Sequence, residues 1–210
     1  MIKDLNFRNL GLIDYDNAFD LMKKHIQDKE FKNEIWFLEH NPVFTLGTAA
    51  DKSHILDAGS IPIFQSDRGG EVTYHGPGQL IIYFLLDIKQ LNLGPKSLVK
   101  TLQKFIQSLL EQYSIDSNIV DGAPGVYVAE KKIASIGLRF SKGKSYHGVS
   151  INVDMDLSPF LKINPCGYEN LSMTQVTEFY EDITIKQLMK DATSLITNSC
   201  TLNNMYNKKI

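Results

Sequence analysis

The hydrophobic positions of this chain follow two periods, which divide most of its length into strands and helices. Residues 80–86 form an unbroken apolar run, typical of a strand that is covered on both faces of a sheet. Residues 95–112 carry apolar side chains at helical spacing and predict a long amphipathic helix. Residues 125–153 alternate between apolar and polar positions and predict strands joined by tight turns at 130–131 and 142–143.

Weaker patterns predict the remaining elements. Asp14 is placed to cap a helix over residues 14–29, and His25 on that helix is expected to be a surface or half-buried residue. The inner face of this helix is predicted to carry Phe19, Leu21, Met22, His25 and Ile26. Further predictions are strands at 5–12, 34–39, 43–46 and 61–65, a polar loop at 51–59 and a last helix at 185–198. The order predicts one α+β domain over residues 1–210, with a mixed, largely antiparallel sheet and packed helices.

Composition narrows the class of protein. A formal net charge of −2 over 210 residues means that the chain has no excess of basic residues to attract phosphates, so we expect no nucleic-acid partner. The two cysteines are too few for a disulfide framework or for a zinc site of paired thiolates, which favours a reducing compartment. No stretch has the length and hydrophobicity of a signal peptide or of a membrane span. The sequence therefore predicts a cytoplasmic protein without a membrane partner.

The most unusual stretch is the glycine-rich segment at residues 68–79, directly before the apolar run. Its four glycines permit backbone conformations and close approaches that a Cβ would block. Arg68, Thr73, His75 and Gln79 add polar groups. Such a stretch is typical of a loop that contacts a ligand through its backbone groups, and the strand that follows would hold this loop in place.

Lys132 is the first candidate for chemistry. Alternation along a strand puts it on one face with Ala134, Ile136, Leu138 and Phe140. One interpretation is a lysine at the strand end whose ammonium reaches water. The other is a partly desolvated ammonium that loses its proton more readily, which is how a lysine becomes a proton-transfer group.

His147 is predicted to share a face with Val149, Ile151 and Val153, and so to point inward. Either it is a core histidine with satisfied nitrogens, or it supports a ligand site. Gly148 beside it marks a place where backbone can approach a ligand closely.

Cys166 lies in the sequence Asn-Pro-Cys-Gly-Tyr, where proline and glycine interrupt regular structure. An isolated cysteine is more often a small buried hydrophobe, but a loop position also suits a nucleophilic thiolate. Cys200 falls in the last helical region and is interpreted as a packing residue.

Together these motifs prompt a comparison. Arg-Gly-Gly-x-x-Thr-Tyr-His-Gly-Pro-Gly-Gln at 68–79, Lys-Ile-Ala-Ser-Ile-Gly at 132–137, His-Gly at 147–148 and Pro-Cys-Gly at 165–167 resemble the lipoyl(octanoyl) transferase family. The similarity covers at least residues 40–180, and Val149-Ser150 departs from the common family pattern.

The resemblance implies transfer of an octanoyl group from octanoyl-acyl carrier protein to a lysine of a lipoyl domain, the first step of endogenous protein lipoylation. The acceptors would be 2-oxoacid dehydrogenase E2 subunits or the glycine cleavage H protein, and no metal or cofactor is implied. Cys166 would carry the acyl group as a thioester, and Lys132 would act as general acid/base and lower the pKa of the thiol. The fold would be that of the biotin and lipoate protein ligases. The implied substrate-binding residues are Arg68, Gly69, Gly70, Glu71, Val72, Thr73, Tyr74, His75, Ser135, Ile136, Gly137, Gly148, Val149 and Ser150, with His147 and Gln79 in support.

Two other functions compete with this one. An ATP-dependent lipoate or biotin ligase on the same fold would use a lysine and a glycine-rich loop, but it has no need of a nucleophilic cysteine. A noncatalytic acyl-binding module would need neither Cys166 nor Lys132.

Overall fold

The computed structural model describes residues 5–165 and 171–198, and its largest element is a seven-stranded sheet. The strands run in the spatial order β1-β2-β6-β10-β9-β8-β7, and every neighbouring pair except β1 and β2 is antiparallel. The strands of this sheet are β1 Asn6–Ile13, β2 Glu34–His40, β6 Gln79–Asp87, β7 Asn118–Val120, β8 Ala123–Val128, β9 Lys131–Ser141 and β10 Lys144–Asn152.

A second, three-stranded sheet contains β3 Val43–Leu46, β4 Ile63–Gln65 and β5 Thr73–His75, in the order β4-β3-β5. The sequence analysis predicts β3 and β4 but neither β5 nor the pairing of the three strands, so it does not separate the two sheets. The glycine-rich segment at 68–79 begins in the loop between β4 and β5, runs through β5 and ends at the first residue of β6. Residues 66–72, the loop between β4 and β5, are called the glycine-rich loop.

Helices cover both faces of the large sheet. The helices α2 Pro95–Glu111 and α3 Ile185–Asn198 lie on one face, where Phe84 of β6 meets Phe105 of α2 at 6.1 Å between ring centres. The helix α1 Tyr15–Gln27 lies on the other face and packs Met22 against Trp36 and Tyr83. β6 is therefore covered on both sides, as its apolar run predicts, and all but its last residue are buried.

The small sheet has its own apolar cluster. Phe44, Leu46 and Tyr74 pack there against Phe160 and Ile163, which belong to a short 3-10 helix and the residue after it. This cluster holds the small sheet against the chain that leads to Pro165.

The predicted strands and helices and the mixed, largely antiparallel α+β architecture are confirmed in the described residues. Two details on α1 are wrong. Leu21 is exposed, because the buried stripe of the helix runs through Tyr15, Ala18, Met22 and Ile26. Asp14 occupies the N-cap position but makes no capping bond, and its carboxylate accepts from Asn41 Nδ2 at 2.5 Å. Within the described ranges, none of the helices has the length and hydrophobicity that crossing a bilayer requires.

Candidate active site

A cavity of about 220 Å³ is lined by residues of both sheets, of α1 and of the glycine-rich loop. The sequence-predicted residues that line it are Arg68, Gly69, Gly70, Glu71, Val72, Thr73, His75, Ser135, Ile136, Gly137, Gly148, Val149, Ser150, Lys132 and His147. Their contact with substrate stays a prediction, but the fold does bring three separate sequence motifs to one cavity.

Tyr74 is the exception. It is not among the lining residues, because its ring lies 5.5 Å from the ring centres of Phe44 and of Phe160 in the small-sheet cluster. Alternation along β5 sends Thr73 and His75 to the cavity and Tyr74 to the opposite side. The expectation that Tyr74 lines the substrate pocket is therefore wrong.

Arg68 braces the glycine-rich loop from within. Its Nη2 donates to Thr45 O at 2.7 Å and to Glu71 O at 2.8 Å, and its Nη1 donates to Gly69 O at 3.1 Å. The guanidinium thus fixes the backbone on both sides of the turn, which supports the expectation that Arg68 shapes the pocket.

Close backbone contacts hold the same loop. A Cβ on Gly47 would lie 2.0 Å from Gly70 O, so the small sheet can meet the loop here only through a glycine. The Gly69 amide donates to Leu138 O at 2.9 Å and ties the loop to β9. This N–H is therefore already used and is not available to an oxyanion.

Lys132 is fully buried, with 0% of its surface exposed, so the interpretation as a strand-end lysine reaching water is wrong. Its Nζ lies 5.4 Å from the ring centre of Tyr127. A Cβ on Gly125 would stand 2.4 Å from Lys132 Cε, which shows that the missing side chain leaves the space that the lysine fills. The side chain of Lys132 is therefore held between Gly125 and Tyr127 of β8.

A bulge in β9 changes the face on which Lys132 lies. Val126 pairs with Ala134 and Tyr127 pairs with Lys132, so Ile133 is an extra residue in the ladder. Ala134 and Leu138 belong to the cluster beneath α2 and α3, whereas Lys132 lines the cavity. The predicted common face for Lys132 and the apolar residues after it is wrong, because strict alternation fails at the bulge.

His147 departs from alternation as well. Its φ of +59° puts it beside Tyr146 on the α1 face, where the two rings stack at 5.0 Å, while Val149, Ile151 and Val153 face α2 and α3. It points inward as predicted but not with those three residues. Its Nε2 donates to Asp67 Oδ1 at 2.9 Å, which leaves Nδ1 as the unprotonated nitrogen.

Asp67 collects three donors at the start of the loop. Burial opposes its ionisation, but hydrogen bonds from His147, Tyr146 and Lys23 together outweigh burial and hold the pKa of Asp67 well below its ordinary value. Burial also lowers the pKa of His147, more than the bond to Asp67 raises it. The pair is thus a neutral imidazole held by a carboxylate.

His75 has both ring nitrogens engaged. Its Nδ1 donates to Gln79 Oε1 at 2.7 Å, and its Nε2 accepts from Thr45 Oγ1 at 3.3 Å. Burial, helped by the neighbouring His40, lowers the pKa of His75 well below its ordinary value. This arrangement supports the expected roles of His75 in pocket shape and of Gln79 as its support.

Cys166 and Cys200 lie outside the described residues, so the hypotheses on them stay predictions. On the amino side, Asn164 N donates to His54 O at 2.8 Å. On the carboxyl side, Lys132 N donates to Ser172 O at 2.9 Å and Thr174 N donates to Lys132 O at 3.0 Å. The chain that begins six residues after Cys166 therefore runs beside Lys132.

Sequence reasoning missed several lining residues, namely Tyr15, Ile81, Tyr83, Gly122, Ala123 and Pro124. Ile81 and Tyr83 are part of the continuous apolar run, in which nothing marks which face meets a ligand. Asp67 was missed too, although a carboxylate directly before the glycine-rich motif is a signal that could have identified it.

Comparison with known proteins agrees with this geometry. Residues 14–196 match the family described as the lipoyl protein ligase A/B catalytic domain. An octanoyltransferase of Legionella pneumophila (strain Lens) is 52% identical over 182 residues, which are 86% of this chain and 92% of the relative. An octanoyltransferase of Vesicomyosocius okutanii subsp. Calyptogena okutanii (strain HA) is 47% identical over 93% of this chain and 97% of its own length.

Solved structures show the same fold at low identity. The putative lipoate protein ligase of T. acidophilum superposes with a TM-score of 0.74 at 16% identity, over 94% of this chain and 85% of its own. The biotin protein ligase of Aquifex aeolicus gives a TM-score of 0.58 at 17% identity, over 100% and 73%. The predicted similarity to the biotin and lipoate ligase fold is confirmed.

Proposed function

The chain belongs to the lipoyl protein ligase A/B catalytic family and, within it, to the octanoyltransferases, so it is an acyltransferase of protein lipoylation, and we propose that its acyl group travels through a thioester on Cys166. The donor is octanoyl-acyl carrier protein, and the acceptor is a lysine of a lipoyl domain in a 2-oxoacid dehydrogenase E2 subunit or in the glycine cleavage H protein.

One observation carries this proposal. Lys132 is a buried cation in the wall of the cavity, and the backbone from Ser172 to Thr174 is hydrogen-bonded along it. A protein that only binds an apolar acyl chain does not need a buried ammonium, because removing that charge from water costs about 3 kcal/mol or more. Acyl transfer uses it twice, first to favour a thiolate and then to exchange a proton.

In the first step the Cys166 thiolate attacks the carbonyl carbon of the donor thioester. The bond from that carbon to the carrier sulfur breaks, and the carrier leaves as a thiolate that takes its proton from the Lys132 ammonium, which becomes neutral. One thioester replaces another, so the step is nearly isoenergetic and needs no ATP.

In the second step the amine of the acceptor lysine attacks the acyl carbon on Cys166. The new C–N bond forms an amide, the C–S bond breaks and Cys166 leaves as the thiolate. Lys132, neutral at this point, takes the proton that the amine loses. Amide formation from a thioester drives the overall reaction.

The test is intact-protein mass spectrometry after exposure to octanoyl-acyl carrier protein. We expect an octanoyl adduct that hydroxylamine removes, that is absent from Cys166→Ala and that persists in Cys200→Ala. An equal adduct on Cys166→Ala would show that another residue is the nucleophile.

A second assay distinguishes a transferase from an ATP-dependent ligase. The protein is incubated with octanoate, ATP and magnesium, without any carrier protein. Efficient modification of a lipoyl domain under these conditions would identify an ATP-dependent ligase instead. We place the reaction in the cytoplasm, because a catalytic thiol needs a reducing compartment.

A further inference from the structure

A series of buried hydrogen bonds begins at Arg68, in the glycine-rich loop. Arg68 Nε donates to Thr45 Oγ1 at 3.2 Å, and the Thr45 hydroxyl donates to His75 Nε2 at 3.3 Å. His75 Nδ1 then donates to Gln79 Oε1 at 2.7 Å. These three links lead from the loop through the small sheet to the first residue of β6.

The series continues from β6 to the backbone beside Lys132. Gln79 Nε2 donates to Asn152 Oδ1 at 2.9 Å, and Asn152 Nδ2 donates to Thr174 O at 2.9 Å. Thr174 N in turn donates to Lys132 O at 3.0 Å. We call the linked residues the buried polar network, namely Arg68, Thr45, His75, Gln79, Asn152 and Thr174. Each of the six has at most 8% of its surface exposed.

The two ends of the network fix the direction of its hydrogen bonds, since a guanidinium can only donate and a backbone carbonyl can only accept. Thr174 O therefore requires the amide nitrogen of Asn152. The oxygen of Asn152 is left for the amide nitrogen of Gln79, and the oxygen of Gln79 is left for His75 Nδ1–H. Burial lowers the pKa of His75 well below its ordinary value, so its Nε2 is unprotonated and accepts from Thr45. All links donate in the same sense, and bonds aligned in this way strengthen one another.

Thr174 connects the network to Lys132. All three polar groups of Thr174 are bonded, because its N donates to Lys132 O, its O accepts from Asn152 and its Oγ1 donates to Glu178 Oε2 at 2.8 Å. Lys132 N is bonded to Ser172 O at 2.9 Å. The backbone position of Lys132 therefore depends on Thr174, and that of Thr174 depends on Asn152.

We propose that Asn152 is a positioning residue, which acts through Thr174 to keep the Lys132 ammonium where acyl transfer needs it. The inference rests on the proposed role of Lys132 in that transfer. Asn152 and Thr174 do not line the cavity, whereas Arg68, His75 and Lys132 do, so the network supports the cavity from outside. Without the Asn152 amide, Thr174 O would be a buried acceptor without a donor, and the backbone beside Lys132 would shift to find another partner.

The first measurement is the steady-state transfer catalysed by Asn152→Leu, whose side chain is similar in size but cannot donate. A displacement of about 1 Å can cost about 100-fold in rate, so we expect kcat to fall ~100-fold. KM for octanoyl-acyl carrier protein should stay near the wild-type value, because Asn152 does not line the cavity. Gln79→Leu is a second variant, which removes the donor that holds Asn152 Oδ1 and should change kcat in the same direction.

The second measurement follows Lys132 without any substrate. Lys132 Nζ lies 5.4 Å from the ring centre of Tyr127, so the ring current displaces the NMR resonance of the Lys132 ε-methylene group from that of an exposed lysine. The resonance is assigned in lysine-labelled protein by its loss in Lys132→Arg. We expect it to move in Asn152→Leu and in Gln79→Leu, since both changes release the backbone that carries Lys132.

Asn33→Leu is the matched control. Asn33 is 7% exposed, and its Oδ1 accepts from Asp87 N at 2.7 Å, at the end of β6 opposite to Gln79. This variant should lose stability but keep the wild-type kcat and the wild-type resonance of Lys132. An unmoved resonance in Asn152→Leu, or in Gln79→Leu if the first variant does not fold, would overturn the proposal. An equal fall of kcat in Asn33→Leu would overturn it as well.

The resonance separates this inference from the proposed function. A wild type that transfers no acyl group from the carrier would refute the transferase, and the resonance would then decide alone whether Asn152 positions Lys132. A displaced resonance with an unchanged kcat would show that Asn152 holds Lys132 and would refute the role of Lys132 in the transfer.

Discussion

Asp67 and His147 are joined by a hydrogen bond of 2.9 Å that anchors the glycine-rich loop to β10. Asp67 directly precedes Arg68, and His147 directly precedes Gly148, so the bond links two segments that both line the cavity. His147 adopts a φ of +59°, which is costly for a residue with a Cβ. The surrounding bonds must outweigh that strain, and Asp67 provides the principal one.

Asp67→Asn should therefore destabilise the protein. An amide cannot accept strongly from His147, Tyr146 and Lys23 together, and we expect a loss of about 1–3 kcal/mol in the free energy of unfolding at neutral pH. Because the pKa of Asp67 is lowered by folding, its contribution is present above the ordinary carboxyl pKa and is lost as pH falls below about 4. Urea titrations at several pH values should show the two proteins converging in acid.

Asp156→Asn is the matched control for that change. Asp156 is exposed, and its carboxylate accepts from Ser158 within the same turn. Its substitution should hardly alter stability. An equal loss for both variants would mean that the bond between Asp67 and His147 has no special weight.

Substitutions of Lys132 should separate its two roles. Lys132→Arg keeps the positive charge but cannot give up a proton, so amide formation should fall more than acyl-enzyme formation. Lys132→Ala should impair both steps, by roughly 10²- to 10⁴-fold for the proton transfer. Single-turnover transfer to a lipoyl domain and the rate of acyl-enzyme formation measure the two steps separately.

The thiol provides an independent measurement. The rate of iodoacetamide alkylation against pH should show a higher pKa for Cys166 in Lys132→Ala than in the wild type. An unchanged alkylation profile together with near-normal transfer would exclude Lys132 from the chemistry.

Gly125→Ala tests the packing of Lys132 without changing a polar group. The new methyl would stand 2.4 Å from Lys132 Cε and 2.6 Å from Ala134 O, so the lysine must move. A displacement of about 1 Å can cost about 100-fold in rate, and we expect a fall in kcat of that order. Gly94→Ala, whose methyl meets no atom within 4 Å, should transfer at the wild-type rate. Full activity of Gly125→Ala would show that the position of the ammonium is not critical.

The buried histidines predict a stability that depends on pH. Folding lowers the pKa of His40 to about 4 and lowers those of His75 and His147 as well, mainly through burial. Below about pH 6.5 the unfolded chain binds protons that the folded protein does not bind. The free energy of unfolding is therefore highest above about pH 6.5 and falls as pH decreases towards 4. Each histidine contributes up to about 1.4 kcal/mol per pH unit in that window.

The measurement is the free energy of unfolding by urea between pH 7.5 and 5. This range lies above the titration of most carboxylates. His40→Asn should reduce the slope, since one of the three groups is removed. A flat profile in the wild type would contradict the assignment of neutral, buried imidazoles.

Periodicity predicts the elements of this fold well, because the burial of α2, α3 and β6 follows the apolar positions directly. It fails where the backbone is irregular. Ile133 adds a residue to β9, and His147 takes a positive φ, so the face assigned to Lys132 and the face assigned to His147 both come out wrong. Single-sequence alternation contains no signal for either irregularity. The bulge directly follows the cavity residue Lys132, and His147 itself lines the cavity, so both irregularities adjoin the candidate active site.

The extra residue in β9 lets one strand serve the core and the cavity at once. Ile133 and Ala134 both belong to the cluster beneath α2 and α3, while Lys132, directly before them, lines the cavity. Deletion of Ile133 would make Lys132 and Ala134 direct neighbours, and direct neighbours on a strand point to opposite faces, so the ammonium would stay in the cavity wall. The deletion would instead remove a fully buried isoleucine from beneath the helices, so it would reduce stability and leave the direction of the lysine unchanged.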